Sequence, residues 1–328
     1  MPQPKRKAAW IRLVEQNAGL VLSAVLLVIA IVLYCAIYYA AQGRLPGGFE
    51  LTTTVNNTMP LVFAGAAQAI VVITGGIDLS VGGVIDLTNA LAALYLGDSP
   101  LSMVLCTIGV IAVGGDGGLL NGLLVAYGRL QPILVTLATL AIFQGLAIRV
   151  LPAPGGSVPE AYTAILANFE APYSLVFIVV LLVVWALVRR TSIGVGIYAI
   201  GNDDLAAKSS GVKNLRSRVT AYVLSGMLAA VAGLFLVANA TSGDPTTGNG
   251  YTLRSIVAVV LGGISLFGGR GTPISAVIGA FVSTMIVNIL FFAQIDPLYQ
   301  SFFEGVFLVV AVLLTAIISR LMRRRAVA

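Results

Sequence analysis

Long apolar runs alternate with short polar breaks along nearly the whole chain. A helix needs about 20 apolar residues to cross the hydrocarbon core of a bilayer. Ten stretches approach that length: 18–41, 53–74, 79–97, 101–127, 131–151, 171–188, 219–240, 254–267, 273–293 and 301–320. The eighth is short and ends in glycines. The longest polar interruptions, 189–218 and 241–254, are loop-sized, so no separate soluble domain fits between the runs. The pattern predicts an all-α, polytopic membrane protein of about ten transmembrane helices, with residues 1–328 as one transmembrane domain. The first run follows a basic start, MPQPKRKAAWIRLVEQ, and shows no small-residue cleavage site after a short core. It predicts a retained first span, not a cleaved signal.

Charge tests the count. Only 10% of the 328 residues are charged and 58% are hydrophobic, against about 25% charged in soluble domains. Ten spans put both termini on one side. Positive residues stay in the cytoplasm, and a cytoplasmic N-terminus leaves only Arg44, Arg149 and Arg254 of the 19 basic residues outside. Both termini are therefore expected in the cytoplasm. Composition also excludes chemistry. The chain has no histidine, the commonest metal ligand and general base, and Cys35 and Cys106 lie far apart inside apolar runs. No disulfide, metal site or catalytic residue is expected. No Gly-x-x-x-x-Gly-Lys-Ser/Thr phosphate loop is present. Lipid is an expected partner; nucleic acid is not.

The segment 189–218, RRTSIGVGIYAIGNDDLAAKSSGVKNLRSR, is the one large cytoplasmic loop and carries six positive charges. Within it NDDLAAKSSG predicts a short helix. Asn202 suits the N-cap, and Asp203 and Asp204 in the first turn suit the helix dipole. Ala206 and Ala207 favour helix, Lys208 sits near the negative end, and Gly211 suits a left-handed C-terminal residue. Such a helix offers a flat docking face, or it lies on the headgroups as a plain surface loop.

Several strings now combine in order: GGIDLSVGG at 75–83, NGLLVA at 121–126, TLATL at 136–140, YAIGN and LAAKSSGV within 198–212, and VVLGGISLFGGRGT at 259–272. Together they resemble the inner-membrane permease subunit of ribose-type ABC sugar importers, from about residue 53 to 292. The resemblance implies a type II importer-like permease that moves a monosaccharide or similar small polyol across the bacterial inner (plasma) membrane. It implies that Gly201, Asn202, Asp203, Asp204, Leu205, Ala206, Ala207, Lys208, Ser210 and Gly211 form the coupling element that an ATP-binding subunit grasps. ATP and Mg then belong to that partner, and this chain binds no cofactor and is no enzyme. The further partners implied are a periplasmic or extracellular sugar-binding protein and a second permease, a copy or a paralogue. Outer loops 42–52 and 241–253 are candidates for receiving the binding protein. Relatives also move nucleosides or a furanone signal, so such a cargo is the alternative.

Polar residues inside the spans are the remaining candidates. Asp78 lies among four glycines in ITGGIDLSVGG. Either Asp78 or Ser80 caps the third span, or Asp78 lies near the translocation path; the two are compatible. Gly75, Gly76, Ile77, Leu79 and Gly82 match Gly262, Gly263, Ile264, Leu266 and Gly269 of a second string, so two glycine-broken turns are expected on one side. There Asp78 can meet Arg270. Asp86 and Asp116 fall within spans, where a carboxylate is costly unless it is paired, protonated or wet. Asn89 shares the face of Asp86, and Asn121 follows Asp116. These residues either bond a passing polyol or bond neighbouring helices. A proton-coupled secondary transporter using Asp86 and Asp116 is the rival reading. Gly65, Gly109, Gly122, Gly145, Gly226 and Gly233 are expected at close helix–helix contacts.

Overall fold

Apolar runs bounded by glycine, proline and short polar caps become helices of unequal length. The computed structural model describes residues 18–296 together with 299, 302, 303, 305, 306, 309, 310 and 313. The basic segment 1–17 lies outside the described residues, as does most of the expected span 301–320. In chain order the helices are α1 (Ala18–Gln42), α2 (Gly48–Ile73), α3 (Val81–Tyr95), α4 (Pro100–Ala126), α5 (Pro132–Val150), α6 (Glu160–Leu166), α7 (Leu175–Arg189), α8 (Ser192–Asn202), α9 (Asp204–Ser209), α10 (Asn214–Ala240), α11 (Asn249–Leu261) and α12 (Pro273–Phe292).

Among the described residues, six helices are long and apolar enough to cross a membrane: α1, α2, α4, α5, α10 and α12. The pair α7 and α8 makes a seventh if its 79° bend is counted as one span. Two of the expected spans are too short to cross alone: α3 is trimmed by two residues at each end from 79–97, and α11, expected short, begins five residues before 254. α3 has 15 residues and α11 has 13, or about 22 and 20 Å at 1.5 Å per residue. Gly75, at φ +83°, closes α2, and Gly263, at φ +70°, closes α11, conformations that side chains resist. The segment 262–267, expected as the end of a span, is therefore a turn. The 189–218 loop is also mostly helical, since α8, α9 and the start of α10 occupy it.

α2 is the most enclosed helix, buried without interruption from Thr58 to Ile73. α10 crosses α4 at backbone distance. A Cβ on Gly114 would strike the Gly226 carbonyl, one on Gly118 the Tyr222 carbonyl, and one on Gly226 the Gly114 carbonyl. This is small-residue packing, in which close van der Waals approach replaces the hydrophobic drive that lipid removes. Gly122 and Gly233 also meet neighbouring helices, whereas Gly109 and Gly145 face open space.

The two ends of the bundle differ. At one end α9 stands out beside the turns that follow α2 and α11. At the far end, loops close over α3: Gly155 and Gly243 exchange backbone hydrogen bonds of 2.9 and 2.8 Å, and Ser157 N–H donates to the Ala93 carbonyl at 3.1 Å.

Candidate functional site

α9 is short, sharply capped and exposed. Its N-cap is Asp203, whose carboxylate accepts from the N–H groups of Leu205 at 2.9 Å and Ala206 at 3.0 Å. This corrects the expectation of Asn202, which is the last residue of α8. Tertiary packing decides it. Gly201 sits so close that a Cβ there would meet the Ile73 carbonyl and the Gly269 N–H, and Asn202 donates to the Tyr198 and Gly269 carbonyls. Helix α8 is thereby held through residue 202. Gly211 closes α9 as expected, at φ +83°, with Gly211 N–H on Lys208 and Val212 N–H on Ala207. Asp204 accepts from Asn214 at 3.0 Å and Arg218 at 3.3 Å, which ties α9 to α10. Only Ala207 of α9 is buried; Leu205 is 77% exposed.

Beneath this end lies a buried polar chain. Asp78 Oδ1 accepts from Ser80 N–H at 2.9 Å and Ser80 Oγ at 2.6 Å; Oδ2 accepts from Ser225 Oγ on α10 at 3.0 Å. Asn121 of α4 donates to Ser80 Oγ at 2.8 Å and accepts from Thr139 of α5 at 2.7 Å. With its amide oxygen facing the Asp78 N–H, Gln68 of α2 brackets the Asp78 peptide, donating to its carbonyl at 2.8 Å. Asp78 thus holds Ser80, the residue that opens α3, and joins it to α10, and Ser80 extends the chain of bonds to α4 and α5. The expected ion pair with Arg270 does not form: Arg270 is exposed, and serines take up the Asp78 carboxylate.

The turns after α2 and α11 do lie together, since Gly269 N–H donates to the Ile73 carbonyl at 2.9 Å. Their equivalence is shifted by one residue from the sequence match. Gly75 N–H bonds Val72 and Gly76 N–H bonds Val71; Gly263 N–H bonds Val260 and Ile264 N–H bonds Val259. Gly75 therefore corresponds to Gly263, and both are left-handed residues closing a helix.

Asp86 and Asn89 share one face of α3, as their spacing predicts, and both hold the loop before α11. Asp86 Oδ1 accepts from Gly248 N–H at 2.6 Å, and Asn89 Oδ1 from Asp244 N–H at 2.7 Å. In that loop, partial burial raises the Asp244 pKa, but hydrogen bonds from Thr246 and Thr247 outweigh it and hold the carboxyl below its usual range. Asp86→Asn retains an acceptor and should leave the thermal midpoint of the purified protein close to wild type. Asp86→Leu leaves the Gly248 N–H buried without a partner. It should cost about 1–3 kcal/mol, read as a clearly lower midpoint. Asp116 differs from the other four. It lies mid-helix on an exposed face of α4, beside exposed Val113, Leu119 and Leu120, while Asn121 is buried on another face.

At the far end of the bundle, α2, α10, α11 and α12 surround a cavity of about 260 Å³, lined in part by Asn57, Asn239, Arg254, Ser283, Thr284 and Asn288.

A family described as the branched-chain amino acid transport system / permease component matches residues 50–312. The chain belongs to that permease family. The permease is 35% identical over 251 residues to a ribose import permease of Bacillus subtilis strain 168, covering 74% of this chain and 77% of the relative. It is 33% identical over 307 residues to a fructose import permease of Rhizobium meliloti, covering 88% and 84%. It is 31% identical over 299 residues to a D-allose transport permease of Escherichia coli K12, covering 87% and 90%. No solved structure matches it.

Some residues of the permease escape sequence reading. Gln68, Ser225, Thr139 and the cavity-lining Asn288 are isolated polar residues inside apolar runs. Their isolation is the available signal, because a lone amide or hydroxyl at membrane depth must find a partner. Which partner it finds depends on how the helices are threaded.

Proposed function

We propose that this chain is the transmembrane subunit of an ATP-driven importer that carries a monosaccharide or similar small polyol across the bacterial inner membrane, with both termini in the cytoplasm. The observation that carries this reading is the similarity, across most of the chain, to permeases named for ribose, fructose and allose. ATP and Mg are bound by a separate ATP-binding subunit, and an external sugar-binding protein delivers cargo at the far end.

Residues 201–211 serve as the coupling element. α9 projects an exposed face to the ATP-binding subunit. Behind it, Gly201 abuts Ile73 and Gly269, so movement of α9 passes to the ends of α2 and α12. The rigid chain Gln68–Asp78–Ser80–Asn121–Thr139 keeps α2, α3, α4 and α5 moving together. In this reading Asp78, Asp86, Asn89 and Asn121 frame the path. Asp116 faces it, on the side of α4 where a second permease, a copy or a paralogue, completes a wet passage. A carboxylate at that depth is costly against lipid but not against water. The bonding of Asp86 to the α11 loop leaves the proton-coupled rival with less support.

The test is Leu205→Asp in proteoliposomes holding the permease, its ATP-binding subunit and the sugar-binding protein. ATP-driven uptake should fall by about tenfold or more, equivalent to roughly 1.4 kcal/mol. The amount of folded permease should be unchanged, because Leu205 is exposed. Wild-type uptake by Leu205→Asp would remove α9 from the coupling route.

A further inference from the structure

The cavity at the far end of the bundle is polar in a part of the protein built from apolar helices. Its polar lining comes from all four surrounding helices: Asn57 from α2, Asn239 from α10, Arg254 from α11, and Ser283, Thr284 and Asn288 from α12. Polar groups at membrane depth are expensive unless they bond each other or line a wet space. Here two amides are held in fixed orientations. Asn239 donates to the Asn56 carbonyl at 2.9 Å, and Asn288 donates to Thr54 Oγ1 at 3.2 Å. Both anchors lie on α2, which is itself tied down by Asn56 bonding Ser174 Oγ at 2.7 Å and the Asn168 carbonyl at 2.7 Å. The amides are therefore set in place by the fold and need no bound solute to position them.

We propose that this cavity is a binding subsite for one uncharged polyol of monosaccharide size, held within a single permease chain on its way from the external binding protein. The proposal rests on the importer reading above and adds to it a place where cargo stops. Three features fix the ligand class. Sugar hydroxyls donate and accept hydrogen bonds, and amides with Ser and Thr hydroxyls do both. Pro60, Leu61, Leu236, Val287 and the Tyr251 ring supply apolar wall for the C–H faces of a sugar ring. The described residues of the lining include no carboxylate that would favour a cation, and the Arg254 guanidinium adds N–H donors suited to sugar hydroxyls. Its 260 Å³ equals about nine water volumes at ~30 Å³ each, room for one pentose or hexose ring with part of its hydration. The position also fits passage. Counted from the α8 side, the lining residues lie at or beyond the middle of their helices, so a solute here is far from the α9 coupling segment.

The test uses the full-length permease, assembled with its ATP-binding subunit in lipid nanodiscs, with Cys35→Ala and Cys106→Ala removing the native thiols. Thr284→Cys is added and labelled with a water-soluble uncharged maleimide in the presence of ribose, fructose or allose. A transported sugar should slow labelling by about threefold or more, and Asp98→Cys in an exposed loop should label at the same rate with and without sugar. Uptake of the three sugars is measured in parallel in proteoliposomes that also hold the sugar-binding protein. Should Thr284→Cys fail to assemble, Thr284→Val decides. It removes one hydroxyl at nearly constant volume, and it should raise the sugar concentration for half-maximal uptake by about threefold. ATP-driven uptake combined with labelling indifferent to every transported sugar, or with an unchanged half-maximal concentration in Thr284→Val, overturns the subsite and leaves the importer reading standing. Absence of ATP-driven uptake for all three sugars overturns both.

Discussion

Gly226→Leu is expected to leave less than about a tenth of the wild-type amount of folded permease. The reason is geometric. α4 and α10 approach so closely that a Cβ on Gly226 would overlap the carbonyl of Gly114, and one on Gly118 would overlap that of Tyr222. Both obstacles are backbone, so no rotamer change relieves them and the helices must separate. Overpacking against movable side chains costs about 1–3 kcal/mol. Separation here also loses the contact that places Ser225 next to Asp78. The position matters more than the residue type. Gly109 lies on the same helix as Gly114 but meets nothing within 4 Å, so Gly109→Leu should fold at close to the wild-type level. Size-exclusion chromatography of fluorescently tagged protein extracted in mild detergent measures both. Equal yields from the two variants would show that α4 and α10 do not pack through these glycines.

This contrast marks where the sequence stops being informative. Hydropathy locates the first nine apolar segments to within a few residues, because burying backbone hydrogen bonds in lipid demands a helix wherever the chain is apolar enough. It carries the 254–267 segment six residues too far, because a window average does not register that one left-handed glycine, Gly263, ends α11 at Leu261. Glycine content alone does not separate Gly226 from Gly109, since close approach is a property of two helices together. The N-cap of α9 shows the same limit. Asn202 and Asp203 are both good caps, and the choice between them is made by Gly201 packing against Ile73 and Gly269, which lie far away in sequence. The spacing of Asp86 and Asn89 correctly places them on one face. What they hold, the Gly248 and Asp244 N–H groups of a loop more than 150 residues further on, follows only from the threading of α10 and α11.

The substitution Asp78→Leu is expected to be as damaging as Gly226→Leu, and Asp78→Asn much milder. Asp78 is 2% exposed, and its carboxylate receives three donors: Ser80 N–H, Ser80 Oγ and Ser225 Oγ. Leucine removes every acceptor at once. Each donor then stays buried without a partner at about 1–3 kcal/mol, unless the serine hydroxyls turn to other acceptors. The Ser80 N–H has no such freedom, and losing its partner loosens the residue from which α3 starts. Ser80 Oγ further accepts from Asn121, so the damage spreads to α4 and α5. Asparagine keeps one oxygen for the Ser80 donors and presents an amide N–H₂ to Ser225, whose hydroxyl can rotate to accept it. The expected result is a folded Asp78→Asn permease with a slightly lowered thermal midpoint, and an Asp78→Leu permease lost before purification. Arg270→Ala should match wild type in the same assay, because the carboxylate finds its partners among serines. If instead Asp78→Asn were lost as completely as Asp78→Leu, the negative charge itself would be required. The buried hydrogen-bonded chain described here would then not account for why this apolar protein keeps an aspartate among its glycines.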